Sequence, residues 1–152
     1  MKLLKTGKKG FTLVELLVVV VIIALIVSIA FTYLVNAQKR SRDAGITADM
    51  DGIRKTANLV FNQDGDYDCV CVTPPAGCST CNEQVVKAAA DIDKLNGTLP
   101  ALAIYRNLTS NATSFCAEVQ LNLGSWYCVD SNLKSKTYTS PPVCSSSFFA
   151  CE

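Results

Sequence analysis

Residues Leu16 to Val35 read LLVVVVIIALIVSIAFTYLV, twenty positions whose only polar side chains are Ser28, Thr32 and the amphipathic Tyr33. As a helix rising about 1.5 Å per residue, this run spans roughly 30 Å, the thickness of bilayer hydrocarbon. Its valines and isoleucines favour strand in water, but its length and its lack of turn residues make it a membrane helix. Lys2, Lys5, Lys8 and Lys9 precede it with no acid among the first ten residues. The positive-inside rule keeps that end in the cytoplasm and directs the rest of the chain outward.

The same lysines hide a charge asymmetry. The formal net charge is +1, yet removing these four of the fourteen basic residues leaves ten against thirteen acids, a formal −3 beyond Gly10. A body of that sign does not bind nucleic acid through a broad basic face. The chain has no histidine, which removes Ser/His/Asp and Cys/His catalysis, histidine-ligated metals and imidazole pH switching. No catalytic residues and no cofactor are assigned. Eight cysteines in 152 residues, beginning only at Cys69, point to disulfides in an oxidising compartment.

An ordinary secretory signal has an apolar region of about 7 to 15 residues followed by a small-residue cleavage site. This apolar stretch is longer, and no convincing small-x-small site closes it. Between the lysines and the apolar run stands Gly10-Phe11-Thr12-Leu13-Val14-Glu15. A carboxylate at the edge of the hydrocarbon is costly and is usually paired, and the sequence shows no obvious partner for Glu15.

At these residues the chain resembles the type IV pilin family, including the pseudopilins of type II secretion systems. KKGFTLVELLVVVVIIALI looks like the class III signal of that family: a short basic leader, a glycine before the cleavage point, an aromatic first mature residue and a glutamate at the fifth mature position. The resemblance implies that a membrane-embedded prepilin peptidase cuts between Gly10 and Phe11 and N-methylates the new Phe11 amine. Cleavage before the apolar helix keeps that helix. In a filament of helices packed side by side, Glu15 of one subunit would then meet the Phe11 amine of its neighbour, turning an unpaired buried charge into a paired one. The alternative is a Glu15 that only snorkels to the interface, for which its side chain is short. Two positions depart from the family pattern: Thr32 stands where many pilins have a helix-kinking proline, and Ala24 replaces a frequent glycine. Both changes favour a more continuous helix.

Beyond Asn36 the pattern becomes amphipathic, with Ile46, Met50, Ile53, Ala57 and Val60 or Phe61 at spacings of three and four, as on one face of a helix. Gly45 and Gly52 weaken it locally. Lys39, Arg40 and Arg42 lie at the outer end of the membrane span and suit either lipid head groups or a solvated face. Gly65 is a plausible helix stop. Asp64, Asp66 and Asp68 alternate in the following loop, but the further ligands and distal glutamate of an EF-hand are missing, so a solvated acidic turn is the preferred reading over a calcium site. Cys69, Cys71, Cys78 and Cys81 form two close pairs, a pattern that also suits zinc. The export signal favours disulfides that staple a proline-rich loop, and no metal is assigned.

Thr80-Cys-Asn-Glu83 reads as a capping box ahead of a short helix ending at Asn96-Gly97. Phe115 to Leu123 alternates as a strand, Trp126 to Asp130 returns as its hairpin partner, and Thr137 to Ser140 adds a short strand. The preferred pairings are within Cys69 to Cys81, Cys116 with Cys128, and Cys144 with Cys151; the last resembles the C-terminal disulfide-bounded loop of many pilins. A turn centred on Gly124-Ser125 would set Cys116 opposite Leu133, so pairing with Cys128 needs a loop centred nearer Asn122. The sequons at Asn96, Asn107 and Asn111 read as chance matches in a Ser/Thr-rich chain. Trp126, Phe148 and Phe149 read as packing rather than as an adhesive patch.

These readings predict an α+β, pilin-like, disulfide-stapled protein. Residues 1–10 form a cleaved leader, 11–64 a long helix whose 11–35 portion is transmembrane and later filament core, and 65–152 a cysteine-rich head with a small antiparallel sheet. The resemblance implies a structural filament subunit working with copies of itself and other pilins, the prepilin peptidase, an assembly ATPase, a membrane platform protein and, before assembly, membrane lipid. It would be a single-pass membrane protein first and then part of a surface or periplasmic filament. The alternatives are a minor pilin or pseudopilin of a secretion or DNA-uptake machine, and a monomeric membrane-tethered binding module.

Overall fold

A computed structural model describes residues 10–73, 80–107, 111–140, 144 and 149–151. In chain order these form helix α1 (Leu13–Asp64), helix α2 (Glu83–Asn96) and strands β1 (Ala103–Arg106), β2 (Phe115–Gln120), β3 (Trp126–Asp130) and β4 (Ser135–Tyr138). The chain divides into two compact units, Met1–Gln38 and Lys39–Glu152.

In the first unit, every described residue is exposed. Its apolar window is long enough to cross a membrane and none of it is buried within the protein. The two hydroxyls inside that window are satisfied within the helix: Ser28 donates to the Leu25 carbonyl at 2.8 Å and Thr32 to the Ile29 carbonyl at 2.9 Å. No side-chain donor of these two residues is left facing the hydrocarbon, which is the condition for a helix to sit in lipid.

In the second unit, α1 buries Ile46, Met50, Ile53, Ala57 and Val60, the stripe that the three-and-four spacing predicts. It stops at Gly65, whose φ of 85° and amide bond to the Phe61 carbonyl at 2.8 Å form a left-handed end. Against this stripe α2 lays Val85, Ala89 and Ile92. At Gly45 a side chain of α2 comes close to the α1 backbone: a Cβ there would lie 2.9 Å from Leu95 Cδ1. The cap of α2 is Asn82, whose side chain accepts from the Gln84 and Val85 amides at 3.0 and 3.4 Å. This corrects the expected Thr80 to Glu83 box: the helix starts two residues later, because asparagine is at least as good a cap as threonine.

The sheet is an antiparallel meander in the order β1-β2-β3-β4. Strand β1 was not foreseen, and β4 lies two residues earlier than expected. On one face, Phe115, Ala117, Val119 and Val129 join the helices in the core, continued by Tyr67 stacked on Phe61 with ring centroids 4.7 Å apart. The β2–β3 loop is closed by Gly124 at φ 91°, with its amide on the Leu121 carbonyl at 2.9 Å. Its centre sets Cys116 opposite Asp130 and Glu118 opposite Cys128, a register between the two alternatives weighed above.

That loop is held on α1 by one carboxylate. Asp43, 7% exposed, accepts from the Asn122 backbone amide at 2.6 Å, the Asn122 side-chain amide at 2.9 Å and the Leu123 amide at 3.1 Å. Removing the acceptor leaves these donors desolvated and unmade. Asp43→Ala is predicted to cost about 2 to 3 kcal/mol, and Asp43→Asn less, measured by denaturant unfolding of the detergent-solubilised full chain.

Candidate functional site

At the N-terminal end of α1, Gly10 and Phe11 lie outside the helix and are exposed, Phe11 at 77%. The Gly10–Phe11 bond, the cleavage point that the resemblance implies, thus lies in an open stretch of chain. Glu15 sits in the first turn, and its partner is Thr12. Its Oε2 accepts from the Thr12 amide at 2.9 Å and from the Thr12 hydroxyl at 2.8 Å, while the Glu15 amide donates to Thr12 Oγ1 at 3.2 Å. This reciprocal arrangement is a capping box. The sequence reading had found no partner for Glu15; the chain supplies one three residues earlier. The carboxylate is therefore held at the helix start, with Oε2 beside the Thr12 amide that immediately follows Phe11.

In the second unit the cysteines organise the outer face of the sheet. Cys116, Glu118, Cys128 and Asp130 share that face in a two-by-two array, since β2 and β3 each place a cysteine and an acid two residues apart. Cys116 is bonded to Cys144 and Cys128 to Cys151. The expected bridges, Cys116 to Cys128 and Cys144 to Cys151, are corrected: the register sets Cys116 and Cys128 diagonally rather than opposite, and each instead captures a C-terminal cysteine. Their sulphurs still lie 3.3 Å apart, so the two disulfides pack as one buried cluster, with Tyr105, Tyr138 and Phe149 against it.

The two acids complete the arrangement. Glu118 is 3% exposed and Asp130 fully buried. Glu118 accepts the Cys144 amide at 2.9 Å, and Asp130 accepts the Cys151 amide at 2.8 Å. Each strand thus holds one C-terminal cysteine twice, by its sulphur and by its backbone. The other Asp130 oxygen takes the Asn132 and Lys134 amides, both at 2.9 Å, and shapes the β3–β4 turn. Cys116, Cys128 and Cys144 also bring their sulphurs within 4.8 Å of one another, but each is in a disulfide and has no thiolate to offer a metal.

Elsewhere, Cys71 is bonded to Cys81, and Cys69 is also disulfide-bonded; Cys78 lies outside the described residues. In the Asp64, Asp66 and Asp68 series, Asp64 is exposed, as a solvated turn requires, and Asp66 is half-buried, but Asp68 is buried and departs from that reading. Asp68 points inward, accepting the Asn111 and Ala112 amides at 2.7 and 2.9 Å, while Arg106 donates to its carbonyl at 2.7 Å. Two sequon asparagines are likewise engaged: Asn96 is buried, and Asn107 accepts the Thr113 and Ser114 amides at 3.0 and 3.1 Å. Phe149 packs on the cysteine cluster, and Phe148 lies outside the described residues.

Comparison with known families adds one decisive observation. The prokaryotic N-terminal methylation motif matches residues 5–31, the lysines, Gly10, Phe11, Glu15 and most of the apolar run. The chain carries a class III prepilin signal. No curated protein and no solved structure matches it significantly. The long apolar N-terminal helix, second helix, four-stranded antiparallel sheet and disulfides make up a pilin-like α+β fold. The motif and the long apolar helix that follows it fit membrane anchoring.

The head's cross-links are directly checkable. Non-reducing peptide mapping is predicted to recover Cys116 with Cys144 and Cys128 with Cys151, and a Cys116–Cys128 peptide would contradict the described register. Glu118→Ala and Asp130→Ala are each predicted to cost about 1 to 3 kcal/mol through the orphaned cysteine amide.

Proposed function

We propose that the protein is a structural subunit of a type IV pilus or pilus-like filament, cut between Gly10 and Phe11, N-methylated at Phe11 and polymerised through α1. The observation that carries this reading is the pairing of the methylation motif with an apolar helix half that buries nothing within its own chain. Such a surface requires cover. Lipid provides it for the single subunit, and the helices of neighbouring subunits provide it in a filament core.

Glu15 makes this exchange selective. Cleavage replaces the neutral Gly10–Phe11 peptide with a cationic amine one residue from Thr12. When a neighbour's Phe11 amine approaches, the Glu15 carboxylate gains a full positive charge in a low-dielectric setting, where ion pairing is far stronger than in water. A subunit displaced along the helix axis loses that pair and leaves two charges uncompensated, so one register is favoured, as a single buried polar residue selects register in coiled coils. The capping box holds the carboxylate near this position beforehand, which lowers the entropy cost of pairing.

The prepilin peptidase, the assembly ATPase and the membrane platform protein enter through the signal this chain carries. No histidine, thiolate or metal centre in this reading performs chemistry of its own. The test is Glu15→Ala in the native host. Processed subunits accumulate in the membrane at normal levels while incorporation into filaments, read by shearing and immunolabelling, falls more than about tenfold. Filaments from this variant at the normal level would defeat the proposal and favour a monomeric membrane-tethered module.

A further inference from the structure

The second unit begins at Lys39, and around that point the fold gathers a surface that the filament reading leaves unused. Lys39, Arg40 and Arg42 are all exposed. At about 100° per residue, Lys39 and Arg40 lie about 40° and 60° to either side of Asp43 around the α1 axis, and Arg42 about 100° away. Lys39 and Arg40 therefore project on the half of the helix centred on Asp43, to which the β2–β3 loop is tied, and Arg42 lies just past its edge. In the sequence only Asn36, Ala37 and Gln38 lie between Val35, where the apolar run ends, and Lys39.

The loop adds an apolar element to this basic patch. Leu123 is 52% exposed at its tip, and its amide is fixed on Asp43 at 3.1 Å. Two acids of the elements packed here are already engaged, and a third, Asp93, is open to solvent. Asp43 is taken up by three loop donors, and Asp91, on α2, is paired with Lys94 at 2.8 Å; Asp93 is exposed one turn before Gly97. An exposed leucine beside three cations is the composition of an interfacial lipid contact: the side chain enters the acyl boundary while the cations meet phosphates.

We propose that this patch, Lys39, Arg40, Arg42 and Leu123, docks the head on anionic phospholipid head groups while the subunit waits in the membrane. The proposal rests on the membrane-anchored state described above and names what the head does in it. Docking holds the head against the bilayer, and it is given up when the subunit leaves the lipid for a filament.

The chain's one tryptophan, Trp126, is the first residue of β3, immediately after this loop, and serves as a built-in reporter. The full chain is reconstituted in vesicles of phosphatidylcholine alone or mixed with phosphatidylglycerol, flotation reports anchoring, and quenching of Trp126 by brominated lipid reports docking. Quenching is expected to be strong only in the anionic vesicles and to weaken with salt. The combined Lys39→Gln, Arg40→Gln and Arg42→Gln variant lowers the docked-to-undocked ratio about a hundredfold, and Leu123→Ser lowers it less. A protein that floats but shows equal quenching in both lipids overturns the docking alone, whereas a protein that does not float overturns the membrane-anchored reading beneath it. If the triple variant keeps its lipid quenching and loses filament incorporation instead, the cations serve a neighbouring subunit and the proposal fails.

Discussion

An apolar helix half with no cover of its own dominates the behaviour of this chain. Every described side chain of residues 10–38 is exposed, and at about 25 cal/mol per Å² of apolar surface this segment cannot remain in water. It must lie in lipid or against other helices. Both environments lack water to satisfy polar groups, which explains why Ser28 and Thr32 bond back to their own helix and why a single carboxylate, Glu15, carries so much weight. A charge at that depth is tolerated only with a partner. Thr12 is that partner within the chain, and in the proposed filament the Phe11 amine of a neighbour would be another.

The head solves a different problem. Its core is small: one helix face, α2 and one face of a four-stranded sheet. The outer sheet face would otherwise be bare, and it is closed by cross-links more than by apolar bulk. Two cysteines and two acids alternate on β2 and β3, and each strand grips one C-terminal cysteine by both sulphur and amide. Disulfides of this kind contribute about 2 to 4 kcal/mol each, and the buried acids place the captured backbone. The Asp43 bonds join the β2–β3 loop to α1 at the end of the head where the chain enters it.

Much of this organisation was legible in the residues, and the misses have physical causes. The apolar stripe of α1, its stop at Gly65 and the β2–β3 hairpin follow from periodicity and turn chemistry. The pattern T-x-x-E occurs twice, at Thr12 to Glu15 and at Thr80 to Glu83. It forms the cap only at the first, because Asn82 intercepts the second. Strand β1 is four half-buried residues with little alternation, too short for period to reveal. The cysteine pairing turned on a one-residue difference in loop centre, which composition does not resolve. The paired C-x-E and C-x-D segments at Cys116 to Glu118 and Cys128 to Asp130 were visible, but their meaning required the register. The roles of Asp43 and Asp68 depend on contacts across 79 and 43 positions respectively, beyond any local rule.

The measurement that bears most directly on this account is the intact mass and N-terminal sequence of the protein isolated from its native membrane. A chain beginning at N-methylated Phe11, with the apolar helix retained, is the result the account predicts. A chain still carrying residues 1–10, or one cut beyond Val35, would contradict it.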